Sequence, residues 1–292
     1  MNCEAAMGAT GPKRVLREPG EATHRVRFGG VEVGGDFVVI AGPCALETQE
    51  QVDKAAQAVK SAGGHALRGG AFKPRTSPYT FQGLGEPGLP MLAEAGRKLR
   101  LPVVSEIMDA AQLPSVLEYV DVLQVGARNM QNFSLLRALS KIDRPVLLKR
   151  GFGSTIDEWI LAAEYLLDGG NDQVMLCERG IRTFDTTLRN TLDLAGMAYV
   201  KQRVKLPVLV DPSHSTGVAA LVTPMALAAA AAGADGLLVE VHPTPETALC
   251  DGPQALRPSE FDALMKGVSA VLHATGRRLA EPRPLAAVGG TR

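Results

Sequence analysis

Arg68, Lys73 and Arg75 fall within one short stretch, Leu67 to Ser77 (Leu-Arg-Gly-Gly-Ala-Phe-Lys-Pro-Arg-Thr-Ser), and each can hold an anion in its own way. A guanidinium presents a planar fork to carboxylate or phosphate, an ammonium a point charge, and Thr76 and Ser77 add neutral donors. Gly69 and Gly70 let backbone approach a ligand and Pro74 fixes φ between two cations, so the stretch reads as a loop. A solvated basic loop has the same composition. What separates the two readings is where the other reactive side chains lie.

They lie at the ends of short apolar runs. Val38-Val39-Ile40 leads to Ala41-Gly42-Pro43-Cys44, Ala66-Leu67 to Arg68, Val103-Val104 to Glu106, and Val122-Leu123 to Gly126-Ala127-Arg128-Asn129. Val146-Leu147-Leu148 leads to Lys149, Val174-Met175-Leu176 to Cys177-Glu178-Arg179, Val208-Leu209-Val210 to Asp211-Pro212-Ser213-His214, and Leu237-Leu238-Val239 to Glu240 and His242. Two sets emerge. Arg68, Lys73, Arg75, Arg128, Lys149 and Arg179 could converge as a basin for substrates with more than one phosphate or carboxylate. Cys44, His214, Glu240 and Asp251 form a mixed sulfur, nitrogen and oxygen set suited to a borderline divalent ion such as Mn, Fe, Co or Zn. Taken singly, a Cys after a strand also reads as a small buried hydrophobe, a His in that loop as a hydrogen-bonder, and Glu240 as a partner for a cation.

The elements that must position these groups follow from the same runs. There are eight, mostly continuous rather than alternating, as strands buried on both faces are. Helical periods separate them: Thr48 with Gln51, and Thr155 with Glu158, read as capping boxes before amphipathic helices, and Ser259 opens a last one. Asp109 to Tyr119 is the weakest helix, with Pro114 early in it, and Met225 to Ala232 is small and apolar throughout. This alternation predicts an α/β fold, a (β/α)8 TIM barrel over residues 37–275, whose active site lies at the C-terminal strand ends. An open doubly wound sheet is disfavoured because no Gly-x-Gly-x-x-Gly follows the first strand. Arg25 to Asp36 alternates weakly around Gly29-Gly30, a short hairpin within residues 21–36; residues 1–20 read as disordered and 276–292 as a flexible tail.

Composition narrows the function classes. The chain is 46% hydrophobic, with Lys plus Arg and Asp plus Glu balanced at 31 each. A neutral chain is poorly suited to nucleic acid or an anionic membrane, so its cationic clusters must be local. Four cysteines without CxxC spacing, no transmembrane-length apolar run and no signal-like start predict a reducing, cytoplasmic setting.

Taken in order, Ala41-Gly-Pro-Cys44, Arg68-Gly-Gly-Ala-Phe-Lys-Pro-Arg-Thr-Ser77, Gly126-Ala-Arg-Asn129, Leu148-Lys-Arg-Gly151, Cys177-Glu-Arg-Gly-Ile-Arg-Thr-Phe184, Asp211-Pro-Ser-His214 and Glu240-Val-His-Pro243 with Asp251-Gly-Pro-Gln254 resemble the 3-deoxy-D-arabino-heptulosonate 7-phosphate (DAHP) synthases, type I beta branch. The likeness spans about Arg25 to Leu272. It implies condensation of phosphoenolpyruvate with erythrose 4-phosphate, opening the shikimate pathway. The related 3-deoxy-D-manno-octulosonate 8-phosphate (KDO8P) synthases typically carry Lys-Ala-Asn-Arg where this chain has Lys73-Pro-Arg75, which favours erythrose 4-phosphate over arabinose 5-phosphate. KDO8P synthase and a non-catalytic sugar-phosphate-binding barrel are the alternatives.

By that resemblance Cys44, His214, Glu240 and Asp251 are the metal ligands. Arg128, Lys149 and Arg179 clamp the phosphoenolpyruvate phosphate, Arg68 and Lys73 face its carboxylate, and Arg75 and Thr76 meet erythrose 4-phosphate. Lys73 and Glu106 are the candidates for proton handling, each with a purely electrostatic role as the alternative, so the candidate catalytic set is Lys73, Glu106, Cys44 and His214. The resemblance further implies a homodimer or homotetramer. Relatives with added domains sense aromatic amino acids or prephenate, and the ends here lack the length for one, so a core enzyme without feedback inhibition by Phe, Tyr or Trp is expected. Two positions depart from the family pattern: Ala45 replaces a common Ser, and Val218 a common basic residue. Cys250, beside Asp251, raises the expectation of a disulfide with Cys44 under oxidation.

Overall fold

The computed structural model describes residues 10–281. Its centre is a closed parallel barrel of eight strands: β3 (Val38–Gly42), β4 (Ala66–Arg68), β5 (Val103–Ile107), β6 (Val122–Val125), β7 (Val146–Lys149), β8 (Val174–Glu178), β9 (Val208–Val210) and β10 (Gly236–Glu240). All eight apolar runs are strands, and β10 pairs with β3 to close the ring, Leu237 opposite Val39 and Glu240 opposite Gly42. At Gly42, φ is +148°, and a Cβ there would lie 2.1 Å from the Arg68 carbonyl oxygen, so only glycine lets β3 approach β4 at this rim.

Alternation along the strands builds two cores. Val39, Leu67, Leu123, Leu148 and Val239 face outward into the layer of surrounding helices. Val38, Ile40, Val104, Leu147, Met175 and Leu238 fill the barrel interior, and the N-terminal hairpin joins them. That hairpin, β1 (Val26–Phe28) and β2 (Val31–Val33), pairs antiparallel around Gly29-Gly30. Val26 and Val33 are fully buried within the interior cluster, so the predicted hairpin is a plug for the barrel.

The outer helices are α1 (Gln49–Ser61), α2 (Gly88–Leu99), α3 (Leu113–Tyr119), α4 (Phe133–Leu139), α5 (Ile156–Asp168), α6 (Leu194–Arg203), α7 (Pro212–Thr216), α8 (Ala219–Ala231) and α9 (Pro258–Ala274). The Thr155–Glu158 capping box forms in full. At α1 only half does: Thr48 accepts from the Gln51 N–H, while the Gln51 side chain turns to Ala45 and Glu47. The weak helix near Asp109 splits into a 3-10 turn, Ala110–Gln112, and the short α3, with its Pro114 in the first turn where no N–H is needed. Helix α8 begins ahead of Pro224 rather than after it, and α9 starts at Pro258. Among the described residues no helix is long and apolar enough to cross a membrane.

Both ends depart from the sequence reading. Within residues 1–20, expected to be disordered, Val15 is fully buried and Leu16 bridges Val204. The Glu164 carboxylate accepts the backbone N–H groups of Lys13, Arg14 and Val15. Within the expected tail, Arg277 donates to the carbonyls of Ala230 and Ala234, and Leu279 bridges Phe37. The partners of both segments are distant in sequence, so no local period announces them. The remainders of these two expectations, residues 1–9 and 282–292, lie outside the described residues.

His65 ties the C-terminal segment down. Its Nδ1 accepts from the Val39 N–H at 3.0 Å and its Nε2 donates to the Ala280 carbonyl at 2.8 Å, an arrangement only the neutral ring satisfies. Burial lowers its pKa, outweighing the raising effect of those two bonds. The unfolded chain therefore binds the proton more readily, and this contribution is present above about pH 6.5 and declines as pH falls through that value. Thermal melts from about pH 7.5 to 5 should show a shallower acid-side loss of stability in His65→Gln than in wild type. Equal slopes would remove His65 from the account.

Candidate active site

At the C-terminal mouth lies a cavity of about 260 Å³. Every predicted substrate-binding residue, Arg68, Lys73, Arg75, Thr76, Arg128, Lys149 and Arg179, lines it, as do Glu106, His214 and Asp251. The strand ends put them there. Glu106 is near the end of β5, and a Cβ at residue 126 would lie 2.0 Å from its Oε1, so Gly126 leaves the space its carboxylate occupies. Lys149 closes β7, and Arg179 follows β8.

Cys44 Sγ, His214 Nε2, Glu240 Oε1 and Asp251 Oδ2 lie beside this cavity, each offering one donor atom, all within 4.8 Å of one another. Cys44 and Glu240 are buried at 3% and 1% exposure, so the cluster is no solvated acidic patch. His214 is aimed by Asp211, whose Oδ2 bonds His214 Nδ1 at 2.7 Å and leaves Nε2 for the cluster. The same Oδ2 accepts from Lys149 Nζ at 2.5 Å, so one buried carboxylate ties the imidazole to a cation that lines the cavity. Burial alone would raise the pKa of Asp211, but His214 and Lys149 hold it well below the carboxylate range. Burial likewise pulls His214 down, while Asp211 and Glu240 push it up to about 10. A cation is thus favoured among these donors, and the donor set fits a divalent ion.

Asp251 adopts φ +55°, a left-handed conformation that Asp tolerates better than most side chains. Arg189 Nη1 holds its Oδ1 at 3.1 Å, leaving Oδ2 to face Cys44 at 3.2 Å and His214 at 3.6 Å. Glu240 is held by Arg68 at 2.9 Å and Gln254 at 2.5 Å. Lys73 Nζ lies 3.0 Å from Cys44 Sγ, and although burial lowers its pKa, Cys44 and Glu106 raise it further than burial depresses it. The residue is a fixed cation in this state.

Sequence reasoning missed Arg189 and Phe152, which also line the cavity. Arg189 sits on the loop after β8, close to Arg179, and its place in that loop was the available signal. Arg150, beside Lys149 in sequence, turns away and pairs with Glu178 and Asp193, each at 2.9 Å. Cys250 Sγ lies 3.5 Å from Cys44 Sγ and 2.6 Å from Arg75 Nη1.

A closed parallel barrel whose mouth gathers fixed cations beside a buried sulfur, nitrogen and oxygen cluster defines a barrel enzyme for small anionic substrates. The model of the DAHP synthetase I family matches residues 20–274, and the chain belongs to that family. The chain is 48% identical over 265 residues to the phospho-2-dehydro-3-deoxyheptonate aldolase of Thermotoga maritima, covering 90% of this chain and 78% of that protein. A 2-dehydro-3-deoxyphosphooctonate aldolase of Desulfotalea psychrophila is 32% identical, covering 80% and 88%. The crystal structure of the Thermotoga DAHP synthase superposes with a TM-score of 0.88 at 47% identity, covering 92% of this chain and 79% of that one. A truncated form of the Thermotoga enzyme gives 0.85 at 44% identity, covering 91% and 98%. The gap between 48% and 32% identity favours the heptonate branch over the octonate branch.

Proposed function

We propose that this chain condenses phosphoenolpyruvate with erythrose 4-phosphate and water to give DAHP and inorganic phosphate. The observation that carries the reading is the cavity itself, lined by the cations of the family pattern together with His214 and Asp251, with Cys44 and Glu240 of the donor cluster beside it. Arg128, Lys149 and Arg179 hold the phosphoenolpyruvate phosphate, Arg68 and Lys73 its carboxylate, and Arg75 with Thr76 the phosphate of the aldehyde. Two anions fixed in this way meet in reacting geometry, which lowers the entropic part of the barrier. Their charges are balanced by cations already in place, so little reorganisation is needed on reaction.

Cys44, His214, Glu240 and Asp251 would hold a divalent ion, Mn, Fe, Co or Zn, and when bound it supplies Lewis acidity toward the aldehyde oxygen. C3 of phosphoenolpyruvate forms the new carbon–carbon bond at the aldehyde carbon, whose oxygen takes up a proton. Water adds at C2 and gives up a proton, and the C2–O bond to phosphate then breaks as the new C2 hydroxyl passes its remaining proton to the departing phosphate, leaving the ketone. Lys73 is the proton donor and Glu106 the acceptor best placed for these transfers. Assembly as a homodimer or homotetramer is the family's expectation, and sedimentation of the purified chain reads it directly.

Turnover is tested by phosphoenolpyruvate consumption and phosphate release with erythrose 4-phosphate and arabinose 5-phosphate side by side, with and without chelator. Chelator-sensitive turnover with the tetrose phosphate is expected. Preference for the pentose phosphate would move the chain to the octonate reaction, and turnover with neither would leave a binding protein.

A further inference from the structure

At the mouth, two buried cations have a carboxylate: Arg68 pairs with Glu240 and Lys149 with Asp211. Three arginines, buried Arg179 and exposed Arg128 and Arg182, have no carboxylate partner among the described residues. They gather around the ring of Phe152, with the Cζ atoms of Arg128, Arg179 and Arg182 5.1, 4.7 and 5.0 Å from its centroid, and Arg179 also donates to the His214 carbonyl at 3.2 Å and the Gly180 carbonyl at 3.5 Å. Phe152 lies on the loop after β7 and lines the cavity, and its carbonyl accepts the Arg182 N–H at 2.7 Å. One residue thus fastens the loop after β8 through its backbone and three guanidinium groups through its side chain.

The physics of this partner differs from that of a carboxylate. An acid would fix the guanidiniums but cancel their charge, and an arriving phosphate would have to displace it. An aromatic face attracts a cation through its quadrupole and leaves both the charge and the in-plane N–H donors available. It also offsets part of the mutual repulsion of three like charges. We propose that Phe152 is the positioning residue of the phosphate clamp, gathering Arg128 and Arg179 in their binding arrangement before substrate arrives without competing for their charge. This rests on the reading of Arg128 and Arg179 as contacts for the phosphoenolpyruvate phosphate.

Phe152→Leu keeps an apolar side chain of similar size and removes the aromatic face, whereas Phe152→Tyr keeps the face. Titration calorimetry of phosphoenolpyruvate onto each metal-loaded variant, with inorganic phosphate as a second probe, reads the clamp directly. Phe152→Leu is expected to weaken both ligands about 5- to 30-fold, the loss of a desolvated cation–π contact at Arg179 and an exposed one at Arg128. The KM for erythrose 4-phosphate should stay within about twofold and Phe152→Tyr should recover most of the affinity. Arg179→Ala serves as the reference and should lose about tenfold or more. If Arg179→Ala weakens binding and Phe152→Leu does not, the positioning role is overturned alone. If Arg179→Ala leaves phosphoenolpyruvate affinity intact, the clamp reading beneath it fails. Equal losses in Phe152→Leu and Phe152→Tyr would reduce the ring to local packing and also overturn the proposal.

Discussion

Cys44→Ala should yield a folded protein that retains almost no divalent metal after desalting and turns over about a thousandfold or more slowly than wild type. That is the order expected when several kcal/mol of Lewis-acid stabilisation is lost. The side chain is buried, but the barrel's registration does not depend on it: Leu46 N–H still donates to Gly70 and Ala45 still bridges Gly70. Metal content by mass spectrometry, turnover, and the melting temperature against chelated wild type separate ligand loss from unfolding. The variant should melt close to the chelated wild type. Full metal content with normal turnover would remove Cys44 from the site and with it the sulfur-bearing donor set.

Protein treated with diamide while metal-free should stay inactive when metal is returned, the diamide taking up the two electrons and two protons released as Cys44 and Cys250 join. The sulfurs start 3.5 Å apart and both thiols are buried. The hydrogen bond shared with Cys44, aided by Lys73, holds the Cys250 thiol below its ordinary value, while that same contact and burial push Cys44 up. Cys250 is accordingly the better nucleophile of the pair. A bound ion would occupy the Cys44 sulfur, so metal-loaded protein should resist. Peptide mapping without reductant should find the linked pair, dithiothreitol should restore activity, and Cys250→Ser should be insensitive. Inactivation with both thiols still open to alkylation, or at an unchanged rate in Cys250→Ser, would sink the prediction.

The barrel was legible because its strands are buried on both faces and so read as unbroken apolar runs. The mouth was legible for a related reason: parallel strands all point one way, so the residue after each run shares one end of the barrel with every other. Individual roles were less so. Lys149 and Arg150 are neighbours, yet one faces the cavity and the other is neutralised beneath it by Glu178 and Asp193. Nothing in their spacing distinguishes them, because the difference lies in partners brought from elsewhere. Arg189 and Phe152 were passed over because each acts through other residues, Asp251 in one case and three arginines in the other. The same non-local dependence concealed the packing of Val15 and Leu279, whose contacts with Lys205 and Phe37 span most of the chain.

The pairing of β10 with β3 gives the donor cluster a history as well as a position. Cys44 follows the first barrel strand, whereas Glu240 ends the last and Asp251 comes after it. A nascent chain that has not yet emerged past Glu240 carries all six candidate substrate-binding cations but lacks two of the four donors, and its Arg68 lacks the carboxylate that holds it. Synthesis therefore finishes the binding basin before the donor cluster, and no ion can be fully caged until the ring shuts. In the mature protein the same ion would act as a clasp across the last join to be made, so that stripping it should loosen amide protons along β3 and β10 before those of β5 to β7.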